Sequence, residues 1–378
     1  MNKIPATLSQ KLAQREQNGA LRELPQQGHP IDFSSNDYLG LARCESIFDA
    51  THQMLVDRRL KINGATGSRL ISGNHPLYAQ TEQAIATFHS AESALLFNSG
   101  YDANVGFFGA VPQKADVILY DELCHASIRD GIKLSNARAF KFGHQDFEDL
   151  ERLIAKFPDT VIYIATESVF SMDGDSPNLE ELVTISEKYD AYLVVDEAHA
   201  LGVFGEHGAG LVQQLGLQGR VFARIMTYGK GLGCHGAAVL GPEQLKSYLV
   251  NFARSFIYTT GLSPHAVANI LVAYQQLVHT DAIENLRQNI IDFNQQKNLL
   301  HLKTVFVYSK SAIQCAIVPG NEKVKAVAAR LQQQGFDVKP ILSPTVPEGQ
   351  ERLRFCLHSY NTPSEISGVL RALVESLF

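Results

Sequence analysis

The sequence lacks the segments that identify several classes of protein. Its 33 Lys and Arg residues form no basic cluster and are outnumbered by 39 Asp and Glu residues, so the net charge is −6. A mildly acidic chain of this kind has no evident affinity for nucleic acid or for an anionic membrane surface. No uncharged apolar run reaches the roughly 18 residues that span a bilayer, and the first residues lack the apolar core of a signal peptide. We therefore expect a cytoplasmic protein without nucleic-acid or membrane partners.

Disulfide and metal motifs are also lacking. The five cysteines are scattered, with no CxxC pair and no Cys/His group at zinc spacing, which is typical of a reduced protein. The histidines outside the segments discussed below, His144 among them, show no i,i+4 pair for metal ligation. We expect them to be surface or packing residues, and we predict no metal ligand.

The sequence does contain a regular alternation of short apolar runs with helix-length segments. With 378 residues, of which 45% are apolar, the chain is long enough for more than one domain. The alternation predicts an α/β fold with a mostly parallel central sheet. The predicted strands are Ala94–Phe97, Val117–Tyr120, Val161–Ala165, Tyr192–Val195, Ala223–Met226 and Ala237–Leu240.

The pattern changes near Pro264. One long helix is predicted from His265 to Leu302, and the elements after it indicate a smaller α+β domain. We therefore predict an N-terminal segment 1–40, a large domain 41–264 and a small C-terminal domain 265–378. The other predicted elements are the helices Leu8–Leu24, Glu322–Gln334 and Pro363–Leu377 and the strands Val305–Tyr308, Ile313–Val318 and Leu353–Leu357.

Four predicted strands end in polar segments, and ligands of open α/β sheets bind at the carboxyl ends of strands. Gly100 stands between a strand and a helix, where free backbone N–H groups form an anion site, although a helix cap explains the same pattern. Asp196 and Glu197 follow another strand, with His199 close behind. A carboxylate there can hold a cationic ring nitrogen, while a metal site or a helix cap is equally compatible with the pair.

The other two polar segments follow the strands that end near residues 166 and 226. Lys230 lies in the glycine-rich turn Thr227–Gly233, and small neighbours leave room for an adduct on an amine nucleophile. A P-loop is excluded because no GxxxxG stretch precedes Lys230 and glycine follows it. Glu167–Asp175 is rich in hydroxyls and carboxylates, which alone would indicate a solvated turn. Together, a phosphate site, a ring-nitrogen carboxylate and a Schiff-base lysine on one sheet indicate a pyridoxal 5′-phosphate (PLP) enzyme.

The sequence resembles the α-oxoamine synthases of the fold-type-I PLP enzymes over nearly its whole length. Within that family it is most similar to the branch that makes 8-amino-7-oxononanoate in biotin biosynthesis. The resemblance implies a PLP-dependent transferase fold of type I, with a large PLP-binding domain and a small C-terminal domain. The matching segments are Phe33–Leu41, Gly67–Gly73, Leu95–Asn104, His125–Ser127, Glu167–Ser176, Val195–His199, Thr227–Gly233, Gly236–Leu240, Phe256–Thr260 and Pro344–Arg354.

The resemblance also implies a role for each matched site residue. Lys230 would form the internal aldimine, Asp196 would pair with the pyridinium nitrogen, and His125 would stack on the ring. Asn36 and Arg354 would hold the amino acid carboxylate. The remaining implied contacts are Gly100, Tyr101 and Thr227 at the cofactor phosphate, Ser171 and His199 near the phenolic oxygen, Arg22 and Thr345 at the acyl substrate, and Thr259 and Thr260 at the partner subunit's cofactor in a homodimer.

The implied reaction is a decarboxylative condensation of L-alanine with a pimeloyl thioester of CoA or of an acyl carrier protein. The alternatives are an α-oxoamine synthase with another substrate pair, such as glycine with acetyl-CoA, a PLP aldolase or lyase, and a non-catalytic protein of the same fold. Three departures from the family pattern, Ala65-Thr66, Ala200-Leu201 and Asn361, bear on the acyl substrate rather than on the reaction type.

Overall fold

The computed structural model describes residues 4–22, 24 and 31–377. The helices in this part of the chain are α1 (Ala6–Gln17), α2 (Glu45–Asp57), α3 (Pro76–Phe88), α4 (Gly100–Ala110), α5 (Ala126–Leu134), α6 (Phe147–Ile154), α7 (Leu179–Lys188), α8 (Leu211–Gln214), α9 (Glu243–Phe252), α10 (Arg254–Ile257), α11 (Pro264–Leu277), α12 (Ala282–Leu299), α13 (Asn321–Gln333) and α14 (Pro363–Leu377). The strands are β1 (Ile31–Asp32), β2 (Ser93–Phe97), β3 (Val117–Asp121), β4 (Arg138–Phe142), β5 (Ile162–Glu167), β6 (Tyr192–Asp196), β7 (Ala223–Thr227), β8 (Ala237–Gly241), β9 (Ile313–Ile317), β10 (Phe336–Asp337), β11 (Lys339–Ile341) and β12 (Arg352–Cys356).

The chain divides into two compact units. The large unit comprises residues 36–171 and 175–286, and the small unit comprises the described residues of 1–35, 172–174 and 287–378. The large unit contains a sheet with the strand order β2-β8-β7-β6-β5-β3-β4. The strands from β7 to β4 pair in parallel, while β8 pairs antiparallel with both β7 and β2, so β8 alone runs against the other strands of this sheet. The predicted fold class, with its mostly parallel central sheet, is confirmed.

The central strands are apolar on both faces because helices cover both sides of the sheet. Along β5 and β6, Ile164 and Val195 belong to one apolar core together with side chains of α6 and α7. Ala165 and Val194 belong to the opposite core, with side chains of α4 and α5. Successive residues of a strand point to opposite faces, so this sheet holds its carboxyl ends rigidly between two packed layers.

The sequence prediction missed β4, which is the edge strand next to β3. Four of its five residues are exposed and only Phe142 is buried. An exposed edge strand with Arg138 and Lys141 lacks the continuous apolar run of the central strands. The apolar-run criterion therefore could not find it.

The small unit contains an antiparallel sheet of order β11-β12-β9 and a short parallel pair, β1 with β10. The strands predicted near residues 313 and 353 and the helices predicted near 322 and 363 are confirmed. The strand predicted at 305–308 is wrong, since this segment forms only one isolated bridge, from Phe306 to Ala316. Among the described residues, no helix is both long and apolar enough to cross a membrane.

Two helix predictions need correction. The single helix predicted at 265–302 is two helices, because the chain leaves α11 after Leu277 and the Thr280 hydroxyl accepts a hydrogen bond from the Ala282 N–H at the start of α12. The helix predicted at 8–24 ends at Gln17, followed by Gly19 with a φ of +59°, which is a common helix stop. Residue 23 of that prediction lies outside the described residues.

Candidate active site

Lys230 lies in the turn after β7, in hydrogen-bond contact with a histidine from the neighbouring strand end. Its Nζ is 2.8 Å from His199 Nε2, and His199 Nδ1 is 2.7 Å from the Tyr38 hydroxyl. Tyr38 donates its proton to Asn36 Oδ1 at 3.2 Å, so its oxygen accepts from His199 Nδ1–H. His199 Nε2 is then the acceptor for Lys230. The chain from Asn36 to Lys230 therefore fixes both the imidazole and the amine.

Asp196 is the last residue of β6 and is buried. Its Oδ2 accepts a 2.7 Å hydrogen bond from Asn104 Nδ2, and its Oδ1 accepts one of 2.9 Å from the Ala198 N–H. Both donors are neutral, so these bonds orient the carboxylate without cancelling its charge. Such a group can stabilise a cation brought by a ligand.

His125 caps the start of α5. Its Nδ1 lies 2.7 Å from Ser127 Oγ and accepts from the Ser127 N–H at 3.2 Å. Ser127 Oγ is also 3.0 Å from Asn104 Nδ2, which links His125 to Asp196 through two polar side chains. Burial lowers the pKa of His125, and the charge of Lys230 lowers it further. A neutral imidazole is therefore favoured here.

Glu167 supports His125 from the end of β5. In the strand pairing it lies opposite Asp196 of β6. The side chain is buried, and Oε1 accepts a 2.6 Å hydrogen bond from the His125 N–H. Burial and the charge of Asp196 raise the pKa of Glu167 to about 8, against the opposing charge of Lys230 and the His125 hydrogen bond. A protonated Glu167 is therefore favoured at neutral pH.

The predicted phosphate site lies at the start of α4. Ser99 caps this helix by accepting from the Asp102 N–H at 3.0 Å. A Cβ atom on Gly100 would lie 2.2 Å from Thr227 Oγ1, so only glycine allows the helix start and the end of β7 to approach each other. The structure therefore places Gly100 beside Thr227.

The other residues predicted near the cofactor surround this helix start or the end of β5. Tyr101 is half exposed and donates to Asp130 Oδ2 at 2.8 Å. Asn98 Nδ2 donates to Thr259 Oγ1 at 3.1 Å and to the Thr260 carbonyl at 2.7 Å. Ser171 follows buried Phe170, four residues after the end of β5.

Three predicted substrate residues belong to the small unit. Arg22 Nη2 lies 3.4 Å from Thr345 Oγ1, although the two are more than three hundred residues apart in sequence. Arg354 is on β12, where it pairs with Lys339 and Cys315 on the flanking strands. The small unit thus brings Arg22 and Thr345 into contact.

Comparison with known proteins shows the family. The sequence profile of the class I and II aminotransferases matches residues 28–373. An 8-amino-7-oxononanoate synthase of Emericella nidulans is 41% identical over 368 residues, which covers 92% of this chain and 89% of that protein. The protein of the same name from Methylobacillus flagellatus is 37% identical over 345 residues, or 91% of this chain and 86% of that one. The chain belongs to the α-oxoamine synthases.

Solved structures agree with this family. A crystal structure of 8-amino-7-oxononanoate synthase from Francisella tularensis has a TM-score of 0.76 at 30% identity, covering 92% of this chain and 97% of that one. A serine palmitoyltransferase from S. paucimobilis with a bound PLP–myriocin aldimine has a TM-score of 0.88 at 25% identity, covering 98% of this chain and 96% of that one. This α-oxoamine synthase is accordingly a PLP-dependent enzyme.

The residues present fit PLP. Asp196 offers a buried carboxylate with neutral partners, Gly100 opens a helix start for a phosphate, and Lys230 offers an amine in a turn with glycine on both sides. Among the described residues, no group of three or more His, Cys, Asp or Glu side chains is arranged so that it could hold a metal ion, the Asp196-Glu197 pair included.

The other alternative for this pair, a helix cap, describes Glu197. It faces away from Asp196, and its Oε2 and Oε1 accept from the backbone N–H groups of Leu211 and Val212 at 2.8 and 3.1 Å. Glu197 therefore caps α8, while its neighbour Asp196 faces the site. Alternation along an extended chain explains how adjacent carboxylates serve different elements.

Sequence reasoning missed four residues that hold the site together. Tyr38, Asn104, Ser127 and Glu167 all lie in segments that match the family, but none was assigned a role. The available signal was polarity in an apolar setting, since Asn104 is a buried amide within a helix and Glu167 ends a fully buried strand. Their partners are distant in sequence, so only the fold identifies them.

Proposed function

We propose that this α-oxoamine synthase condenses L-alanine with a pimeloyl thioester to give 8-amino-7-oxononanoate, CO2 and the free thiol. A C–C bond forms between the α-carbon of alanine and the acyl carbon, the alanine carboxylate leaves as CO2, and the C–S bond breaks. The observation that supports this substrate pair is the 36–41% identity to proteins named for this reaction product over about nine-tenths of the chain.

We propose the following roles for the residues of the large unit. PLP, when bound, supplies an electron sink for charge that develops at the α-carbon. Lys230 Nζ would bind the cofactor and move the α-proton, and Asp196 would keep the pyridine nitrogen protonated. His125 would lie against the ring as a neutral imidazole. The other cofactor contacts proposed are Gly100, Tyr101 and Thr227 at the phosphate, and Ser171 and His199 at the phenolic oxygen.

His199 has a further proposed task. Its Nε2 accepts from Lys230 Nζ, and its Nδ1 is held by Tyr38. This arrangement keeps the amine pointing into the site, so that a proton taken at Nζ stays at a fixed position. A positioned base is effective because its local concentration at the reacting atom is high.

We propose that Asn36 and Arg354 bind the alanine carboxylate, since the planar guanidinium binds a carboxylate through two parallel hydrogen bonds. Arg22 and Thr345, which are in contact, would line the acyl-substrate site. An Arg354→Lys substitution should raise the KM for alanine at least about ten-fold, because an ammonium cannot reproduce the bidentate geometry.

We also propose a cytoplasmic homodimer in which Thr259 and Thr260 reach the partner subunit's cofactor. The five cysteines are free thiols, which suits a reducing compartment. Mixing subunits tests the shared site. A Lys230→Ala subunit combined with a Thr260→Ala subunit should regain part of the activity if sites are shared, and should regain none if each site is complete within one subunit.

A second candidate is another substrate pair, such as serine with palmitoyl-CoA, because the serine palmitoyltransferase has the higher TM-score. Sequence identity favours the first candidate, at 41% against 25%. Thiol release decides between them, with alanine, glycine and serine each paired with pimeloyl, acetyl, succinyl and palmitoyl thioesters. Turnover confined to alanine with the pimeloyl thioester, tested on CoA and on acyl carrier protein, is expected. Preference for any other pair would contradict the proposal.

A further inference from the structure

A cluster of polar side chains lies beside the candidate site, on a loop that contains no predicted cofactor contact. His144 follows β4, and its two ring nitrogens face two aspartates, one at the end of β3 and one in the loop after β5. Nδ1 is 2.9 Å from Asp121 Oδ1, and Nε2 is 2.8 Å from Asp175 Oδ2. Gln145 adds a backbone N–H bond of 3.0 Å to Asp121 Oδ2 and a side-chain bond to Asp175. We call Asp121, His144, Gln145 and Asp175 the His144 clasp.

The chemistry of the clasp requires a charged ring. A carboxylate only accepts hydrogen bonds, so both nitrogens of His144 must carry protons. Burial alone would lower the pKa of His144, but the hydrogen bonds and charges of Asp121 and Asp175 outweigh it and raise the pKa to about 10. Bonds of this charge-assisted kind are short and strong. Asp121 is fully buried and His144 three-quarters buried, so water competes little for these contacts.

Each aspartate of the clasp belongs to a loop that contains a cofactor residue. Asp121 ends β3, and it accepts from the N–H of Leu123 through its side chain and of Cys124 through its carbonyl. His125 is the next residue. Asp121 therefore shapes the short turn between β3 and α5 that presents His125.

The second loop is fixed at two points around Ser171. The Asp175 carbonyl accepts from the Phe170 N–H at 2.9 Å, which closes the turn that contains Ser171. His144 bonds the Asp175 carboxylate, and its ring packs edge-on against Phe170 with the centroids 4.5 Å apart. His144 thus contacts the residues on both sides of Ser171 that close this turn.

We propose that His144 is a positioning residue, which fixes the loops of His125 and Ser171 relative to each other and so sets the affinity for PLP. The inference rests on the proposed cofactor roles of those two residues. Because β4, β3 and β5 are adjacent parallel strands, their carboxyl-end loops are neighbours and one cation can join them.

The test compares His144→Gln with His279→Gln, an exposed histidine after α11. The full-length proteins are stripped of PLP and titrated with it while the absorbance of bound PLP is followed. His144→Gln should bind PLP roughly ten-fold more weakly, which corresponds to one strong hydrogen bond, and should lower kcat while leaving the KM for the thioester unchanged. Wild-type affinity in His144→Gln, or lower thermal stability of the stripped protein with unchanged PLP affinity, would overturn the proposal.

Two further variants keep the test decisive. Asp175→Asn removes one side of the clasp and should weaken PLP binding about three-fold even if His144→Gln does not fold. The double variant should bind no more weakly than His144→Gln alone, because one contact accounts for both effects; additive losses would contradict it. If the proposed reaction is wrong, the wild-type protein will bind PLP but release no thiol from pimeloyl-CoA, and the PLP titrations still decide the role of His144.

Discussion

Asp196 and Glu197 are adjacent carboxylates at the end of one strand, yet their surroundings differ. Asp196 accepts hydrogen bonds from an amide side chain and a backbone N–H, and its charge acts on His125. Glu197 lies on the opposite face and is fully buried. It caps α8 there, and the positive charge of Arg224 favours its ionised form. One residue along the chain separates a carboxylate that can serve a ligand from one that serves the fold.

The Glu197 side of the strand has the features of a structural cluster. Arg224 is buried on β7 and donates to the carbonyl of His89, whose ring bonds the Tyr274 hydroxyl at 2.8 Å. Burial raises the pKa of Glu197, and the charge of Arg224 and two backbone N–H groups oppose that shift. Its charge is therefore already balanced within the protein.

The difference indicates how to recognise the functional carboxylate of such a pair. A buried carboxylate whose charge is balanced by a permanent cation and by helix N–H groups attracts a cationic ligand only weakly. A buried carboxylate that is oriented only by neutral hydrogen-bond donors can still stabilise a cationic group of a ligand. On this criterion Asp196 is the ligand-binding group and Glu197 the structural one.

The largest expected effect is the loss of turnover when Lys230, on the same side as Asp196, is replaced. Lys230→Ala should lower kcat at least about a thousand-fold, because it removes both the cofactor-binding amine and the base. The melting temperature of the stripped protein should stay within a few degrees of wild type. Thiol release and thermal unfolding measure the two quantities. Lys188→Ala, on an exposed residue of α7, is the matched control, and near-normal turnover by Lys230→Ala would refute the assignment.

A substitution on the Glu197 side should reverse this pattern. Gly210 has a φ of +107°, and a Cβ atom there would lie 2.6 Å from Glu197 Oε2. Gly210→Ala should therefore cost about 3 kcal/mol of unfolding free energy, through backbone strain and displacement of the cap, while kcat per folded molecule stays unchanged. Gly219→Ala is the control, since a Cβ there meets no atom within 4 Å. Equal stability of the two variants in urea would show that the Glu197 cluster is dispensable.

The smallest expected effect concerns Glu167, the buried carboxyl group at the end of β5 that lies opposite Asp196. The folded pKa of Glu167 is about 8, above its ordinary 4.5, so the folded state binds an extra proton between these values and stability falls as the pH rises through them. From pH 5.5 to 7.5 this amounts to roughly 2 kcal/mol, at about 1.4 kcal/mol per proton and pH unit. Glu167→Gln should remove that slope from the urea-unfolding free energy. Glu148→Gln, at an exposed position of α6, should keep it; an unchanged slope in Glu167→Gln would exclude Glu167 as its source.

The strand ends illustrate what could be predicted from sequence. Continuous apolar runs identify β5 and β6 because helices cover both faces, and the polar residues after them are conspicuous. The partners of those residues could not be predicted. Asn104 and Asp196 meet because α4 packs against β7, the neighbour of β6, and Glu167 meets the His125 N–H because β5 lies beside β3. Such contacts depend on strand order rather than on local pattern.

The remaining errors have local causes. Exposed β4 has no buried run to reveal it, and the boundary between α11 and α12 depends on one threonine cap within an otherwise helical pattern. The resemblance to a family supplied the roles of Arg22, Thr345 and Arg354, which composition and periodicity do not indicate. The different roles of Asp196 and Glu197 could be recognised only from the directions of their side chains and from their hydrogen-bond partners in the structure.

The most direct test of this account compares Asp196→Asn with Glu197→Gln by measuring kcat and the unfolding free energy of each. Asp196→Asn should lower kcat about a hundred-fold or more and change stability by less than about 1 kcal/mol, since a neutral amide cannot keep the pyridine nitrogen protonated. Glu197→Gln should leave kcat per folded molecule unchanged and cost about 3 kcal/mol, because Arg224 would remain buried without its counter-charge. The reverse pattern, or equal losses of both quantities in the two variants, would contradict the division of roles between these neighbouring carboxylates.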